Sequence, residues 1–155
     1  MSSGTRLAND AWEALLSVHA RLMKQFAAED IWQDLSLREY DVLYTLSKCR
    51  EPLRIGELHR HVLLSQPALS RLVDRLVERG FVERRADRAD ARGVRLSLTD
   101  AGRDRQRQIG RRHARSVARA LTAELTGDEL RQLATICWKL APGAQRHPEK
   151  ETSHP

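Results

Sequence analysis

Between Ser65 and Gly80 the chain carries a helix whose two ends are both written in residue type. Ser65 offers a hydroxyl to the first turn, Pro67 stands where a missing N–H costs nothing, and Gly80 falls just past the end, where a positive φ is cheap only for glycine. Leu69, Leu72, Val73, Leu76 and Val77 recur at three- and four-residue steps, so they share one face, and the fold must bury it. Gln66, Ser70, Arg71, Asp74 and Arg75 fall on the other face. Polar outer faces are the rule for solvated helices. Short hydrogen-bonding side chains near the N-terminus followed by arginines also suit a helix inserted end-on into a DNA major groove. What comes next along the chain favours the second reading.

Phe81 to Arg85 and Val94 to Leu98 read as two short strands, with Val94, Leu96 and Leu98 alternating against Arg95 and Ser97. Ala86 to Gly93 between them is polar and ends in glycine. It has little to give a core and is expected to project as the loop of a hairpin tip. Arg88 and Arg92 on that tip suit a probe of the minor groove.

The run Leu72-Val73-Asp74-Arg75-Leu76-Val77-Glu78-Arg79-Gly80-Phe81-Val82, then Asp87 and Asp90-Ala91-Arg92-Gly93, then Leu98-Thr99-Asp100-Ala101-Gly102, resembles the multiple-antibiotic-resistance regulator (MarR) family. The resemblance extends from about Leu7 to Leu140. It implies a mainly α fold with a small β wing: a winged helix-turn-helix with N- and C-terminal dimerisation helices. It implies a homodimeric transcription regulator that binds pseudo-palindromic double-stranded DNA and is released by a small ligand or an oxidant. In the family pattern a wing arginine enters the minor groove, steadied by an acid of the recognition helix. Arg92 and Asp74 stand at those positions. Ala91 departs from the pattern, which often has a second basic residue there, and implies a weaker wing.

The expected organisation is therefore a dimerisation helix in residues 1–35, a DNA-binding domain in 36–99, dimerisation helices in 100–141 and a disordered tail in 142–155. Ser65, Gln66, Pro67, Ser70 and Arg71 are expected to meet DNA, with Gln66, Ser70 and Arg71 reading base edges. Arg75, Arg84, Arg88 and Arg95 are expected to position the complex on phosphates. A two-fold dimer would present its two recognition helices about 34 to 36 Å apart, to an inverted repeat.

Charge is informative through its distribution. The net charge is +6 over 155 residues, yet Arg84 to Arg119 alone holds 12 arginines against 4 acids. Arginine concentrated beside a helix and hairpin is the electrostatic footprint of a phosphate-binding surface, although a solvated arginine-rich helix accounts for part of Arg103 to Arg119.

Residues 1–6 are expected to be disordered. From Leu7 to Ala28, Ala8, Ala11, Trp12, Leu15, Leu16, His19, Leu22, Met23, Phe26 and Ala27 form an apolar stripe too wide for one small domain to cover. A partner chain would supply the rest. His19 within it reads either as an effector or pH-sensitive contact or as a satisfied interface histidine. Ser36-Leu37-Arg38-Glu39 has capping-box spacing and opens a second helix ending near Lys48. Leu53 and Arg54 are expected to join the wing sheet, and Ile55 to Val62 to form a supporting helix. Thr99 caps a helix from Asp100 to about Ala123, roughly 36 Å long at 1.5 Å per residue. Thr126-Gly127-Asp128-Glu129 repeats the capping-box spacing before a last helix with Leu130, Leu133, Ile136, Cys137, Trp138 and Leu140.

Trp12, Trp32, Tyr40 and Tyr44, with His19, mark a crevice for a planar, anionic aromatic effector, or simple core packing. No phosphate-binding glycine loop, nucleophile elbow or zinc-protease spacing occurs, so neither an enzyme nor a cofactor is expected. His59 and His61, two apart on a helix, point in different directions and are not expected to share a metal. Two cysteines are too few for a disulfide scaffold and fit a reducing cytoplasm. Cys137 reads as a buried thiol. Cys49, near a helix end, leaves a redox-responsive regulator as an alternative. The other alternative is a winged-helix module for non-specific nucleic-acid coating or protein association, which shares the fold and lacks sequence preference. No apolar run approaches the roughly 20 residues of a membrane helix, and Met1 to Thr5 does not begin a secretory signal, so the expected location is the bacterial cytoplasm.

Overall fold

The computed structural model describes residues 2–141, the side chains of Ala91 and Arg92 excepted. Its elements run α1 (Ser3–Ala27), α2 (Leu37–Lys48), β1 (Leu53–Arg54), α3 (Ile55–His59), α4 (Gln66–Glu78), β2 (Val82–Asp87), β3 (Asp90–Leu98), α5 (Asp100–Thr122) and α6 (Gly127–Leu140). Two compact units divide the chain, residues 1–116 and residues 117–155.

The first unit is built around a small antiparallel sheet ordered β1-β3-β2, with Leu53 opposite Leu96 and Val82 opposite Leu98. Its core draws Tyr40, Val42, Leu43 and Leu46 from α2, Leu58 from α3, Leu69, Leu72, Val73 and Leu76 from α4, and Val82, Leu96 and Leu98 from the sheet. Ile109 adds the face of α5. Burying each of these side chains is worth about 1.5 to 3 kcal/mol relative to exposure. The α2 capping box forms as its spacing predicts: Glu39 N–H donates to Ser36 Oγ at 3.2 Å, and Ser36 N–H donates to Glu39 Oε2 at 2.8 Å.

Three expectations need correction. Residues 3–6 are not disordered; they begin α1, because Ser2 caps the helix by accepting from Thr5 N–H at 3.3 Å. The helix expected over Ile55 to Val62 stops at His59, whose Nε2 donates to the Leu64 carbonyl at 2.8 Å and fastens the turn into α4. Ala86 to Gly93 is not a loop. The strands continue through it, leaving Arg88 and Ala89 as a two-residue turn, with an irregular step between Ala86 and Asp87. Cross-strand backbone bonds satisfy a polar ribbon that has no apolar face to bury.

In the second unit, α6 opens on the second capping box, with Thr126 Oγ1 accepting from Glu129 N–H at 3.4 Å. None of its residues is buried, and Leu133, Ile136, Trp138 and Leu140 are exposed. No described helix is long and apolar enough to cross a membrane. The tail expected to be disordered, residues 142–155, lies outside the described residues.

Candidate nucleic-acid interface

Both ends of α4 close as its residue types require. At the start, Ser65 Oγ accepts from Ala68 N–H at 3.4 Å and the Ser65 carbonyl from Leu69 N–H at 2.9 Å. At the end, Gly80 adopts φ +74°, its N–H reaches the Val77 carbonyl and Phe81 N–H reaches that of Leu76, each at 2.9 Å. This paired closure needs a left-handed residue at Gly80. Thr99 then locks the helix end to the next element: its hydroxyl donates to the Gly80 carbonyl at 2.6 Å and accepts from Gly102 N–H at 3.0 Å. A side chain at position 102 would run into the Phe81 carbonyl, 2.0 Å from where its Cβ would sit.

With its apolar face in the core, α4 turns the opposite face outward. Ser65, Gln66, Pro67, Arg71 and Arg75 are exposed, and Ser70 and Asp74 are partly so. The Arg71 guanidinium has no partner among the described contacts. Arg75 is loosely held, donating to the Arg71 carbonyl at 3.4 Å and standing 3.5 Å from Glu39 Oε1. Asp74 is ion-paired with Arg84 of β2, which ties α4 to the hairpin. The expected contact between Asp74 and the Arg92 side chain lies outside the described residues.

The hairpin is fastened beside its turn by Asp87, the last residue of β2. Asp87 is buried, with its side chain 3% exposed. Its Oδ1 accepts from Ala89 N–H at 3.0 Å, and its Oδ2 from Arg54 Nε and Nη2 at 2.8 and 2.6 Å, with Arg95 Nε 3.1 Å away. The bond from Ala89, then those from Arg54 and Arg95, hold the carboxyl down to about 2. Arg95 also donates to the Pro52 carbonyl at 2.9 Å. Its guanidinium is thus engaged with Asp87 and Pro52, whereas Arg88 stands exposed on the turn. An aspartate followed two residues later by a turn N–H is an Asx-turn pattern, the signal that could have located Asp87.

The five residues marked as an effector crevice separate into two groups. Trp12, 57% exposed, and His19 lie on the exposed part of α1. Trp32, Tyr40 and Tyr44 instead pack as a ring cluster with two residues not singled out, Phe26 and His113 of α5. His113 lies 5.1 Å from Phe26, 5.1 Å from Trp32 and 5.6 Å from Tyr40, and Tyr40 stacks on Tyr44 at 5.9 Å. Burial lowers the His113 imidazole, opposed by the charge of Glu29. His113 Nδ1 and Glu29 Oε2 are buried without hydrogen-bond partners among the described residues. Cys49 Sγ faces the Thr45 carbonyl at 3.5 Å, and both cysteines are half-buried. No group of His, Cys, Asp and Glu among the described residues could hold a metal ion.

Residues 33–93 match the MarR family profile. The chain is 31% identical over 109 residues to the multiple antibiotic resistance protein MarR of Escherichia coli, covering 70% of this chain and 75% of that protein. It is 26% identical over 145 residues to the HTH-type transcriptional repressor MdtR of Bacillus subtilis, covering 94% and 92% respectively. Among solved structures it is similar to a mutant MarR from Escherichia coli complexed with operator DNA, with a TM-score of 0.70 and 27% identity over 84% of this chain and 93% of that one.

Proposed function

The chain belongs to the MarR family of DNA-binding transcription regulators, and from that premise we propose that it acts as a homodimeric, sequence-specific repressor released by a small ligand. As a member of that family it is a regulator and not an enzyme. The observation that carries the proposal is the outer face of α4. A helix anchored at both ends offers Gln66, Ser70 and Arg71 outward, and the Arg71 guanidinium meets no partner among the described residues. Arginine in a major groove takes guanine O6 and N7 as a bidentate pair, and glutamine takes adenine N6 and N7.

In this reading Ser65, Gln66, Pro67, Ser70 and Arg71 make the end of α4 that enters the groove. Arg75, Arg84 and Arg88 lie along the phosphates, and Arg92 probes the minor groove. Arg95 contributes through the ion-pair cluster it shares with Asp87 and Arg54. Release follows if a ligand prefers a dimer geometry that misaligns the two recognition helices, since only differential affinity shifts the equilibrium. The proposed place of action is the cytoplasm, with the DNA.

Selection from a random duplex library at near-physiological salt tests this, with Arg92→Ala run alongside. Enrichment of one inverted repeat with half-sites about 10 bp apart supports a dimeric reader, and weaker binding by the variant supports the wing contact. Binding that falls with salt and enriches no motif would instead indicate non-specific coating.

A further inference from the structure

We infer that Asp34 is a positioning residue for DNA recognition: its carboxylate ties the C-terminal end of α4 to α5 and so sets the angle at which the recognition helix is presented. This rests on the reading of α4 as the sequence-reading helix. Asp34 lies in the turn between α1 and α2, outside every DNA-contacting set named above. Its Oδ2 accepts from Arg79 Nη2 at 2.6 Å, and its Oδ1 accepts from Arg105. Arg79 is the C-cap of α4, and Arg105 stands on the second turn of α5. One carboxylate therefore joins two helices. Both guanidinium carbons also stand against the Phe81 ring, 5.1 and 5.2 Å from its centroid.

The turn that delivers Asp34 is itself constrained. Gln33 has φ +59°, the left-handed region that side-chain-bearing residues seldom enter unless their surroundings fix them there. Trp32 Nε1–H donates to the Phe26 carbonyl at 2.8 Å, and Leu35 N–H to that of Trp32 at 3.0 Å, so the turn is held on both sides of Gln33. The buried Glu39 supports the same arrangement from α2. One of its oxygens caps that helix, and the other faces Arg75 at 3.5 Å and Arg79 at 3.8 Å.

Stability alone is a poor reason for this arrangement. The Asp34 side chain is half-exposed, and exposed ion pairs contribute little to folding. An acid beside a cationic DNA-binding surface also weakens the general attraction for phosphate. Burial acts to raise the Asp34 carboxyl, yet its bond from Arg79 and the charges of Arg105 and Arg79 outweigh that and leave it below the usual range, so it is ionised at neutral pH.

The two possible roles predict opposite signs. If Asp34 is only a surface charge, Asp34→Asn raises affinity for every duplex. If it positions α4, the variant loses affinity for the preferred sequence alone. The test compares wild type, Asp34→Asn, Arg105→Gln and the double variant on two duplexes, the inverted repeat enriched by the wild type and a scrambled one of equal length. The expected result is a fall of about tenfold in the ratio of the two affinities for each single variant, with no further fall in the double. Asp34→Glu should recover part of the ratio, and thermal midpoints should stay close to that of wild type. An unchanged ratio for Asp34→Asn, with or without a lower midpoint, would overturn the clamp and leave the functional reading standing. A wild-type chain with no preferred duplex would overturn both.

Discussion

Helices α2 and α4 and helices α1 and α6 carry the same three- and four-residue apolar spacing and treat it in opposite ways. The first pair closes its apolar face inside its own unit, burying Leu43, Leu46, Leu69, Leu72 and Leu76. The second pair leaves its face open. Among the 25 residues of α1 only Phe26 is buried, while Leu7, Trp12, Leu15, Leu16 and Val18 are exposed; α6 buries nothing. Periodicity thus says that a face wants cover, and only the packing says whether the chain supplies it. Apolar patches left open on this scale mark association surfaces. The winged half closes its own core, and the terminal helices leave theirs uncovered, which is the observation behind the proposed homodimer.

The comparison breaks most visibly at the core. Leu76→Ala should lower unfolding stability by about 2 to 5 kcal/mol in chemical denaturation, as expected for a fully buried leucine. A loss no larger than that of an exposed site would mean the winged half is not the closed unit described. Arg71→Ala touches no core and should leave stability alone while costing about 1 to 3 kcal/mol of discrimination for the selected duplex, read from competition binding.

A smaller effect sharpens the picture, because one group in the closed half is not content there. Burial raises the Asp41 carboxyl to about 6, with Arg38 opposing. Between its ordinary 3.8 and about 6, the folded chain keeps a proton that the unfolded chain has lost, so stability falls as pH rises across that window. Asp41→Asn should therefore stabilise at neutral pH by about 1 kcal/mol, less than the whole shift implies because part of the side chain meets solvent, and should flatten the pH profile. Asp87 has the opposite sign and a local reach. Its lowered carboxyl supports the folded wing above its ordinary 3.8, and this support is lost as pH falls toward about 2. Protection of the wing amides from hydrogen exchange, relative to their intrinsic rates, should fall over that interval, and Asp87→Asn should show the lower protection already at neutral pH.

What the sequence revealed and what it hid follow the same division between local and distant causes. The caps at Ser36, Ser65 and Thr126 and the left-handed turn at Gly80 were legible because each depends on residues within one helical turn. The outward face of α4 was legible from spacing. The ion-pair cluster at Asp87 was not, since Arg54 comes from a separate strand 33 residues earlier and the three residues leave no periodic trace. His113 escaped for a related reason. It stands on an arginine-rich helix, and only the fold brings the ring against Phe26, Trp32 and Tyr40. The hairpin was read too short because polar residues that build a poor core can still pair as strands.

The central proposal is that a second copy covers the open faces of α1 and α6, and sedimentation equilibrium of the full chain with Ile136→Ser alongside tests it most directly. The account predicts a two-chain particle for the wild type at concentrations where it binds its selected duplex, and a shift toward single chains for the variant. A wild-type chain that sediments singly under those conditions, or an Ile136→Ser variant that pairs as strongly as wild type, would contradict it.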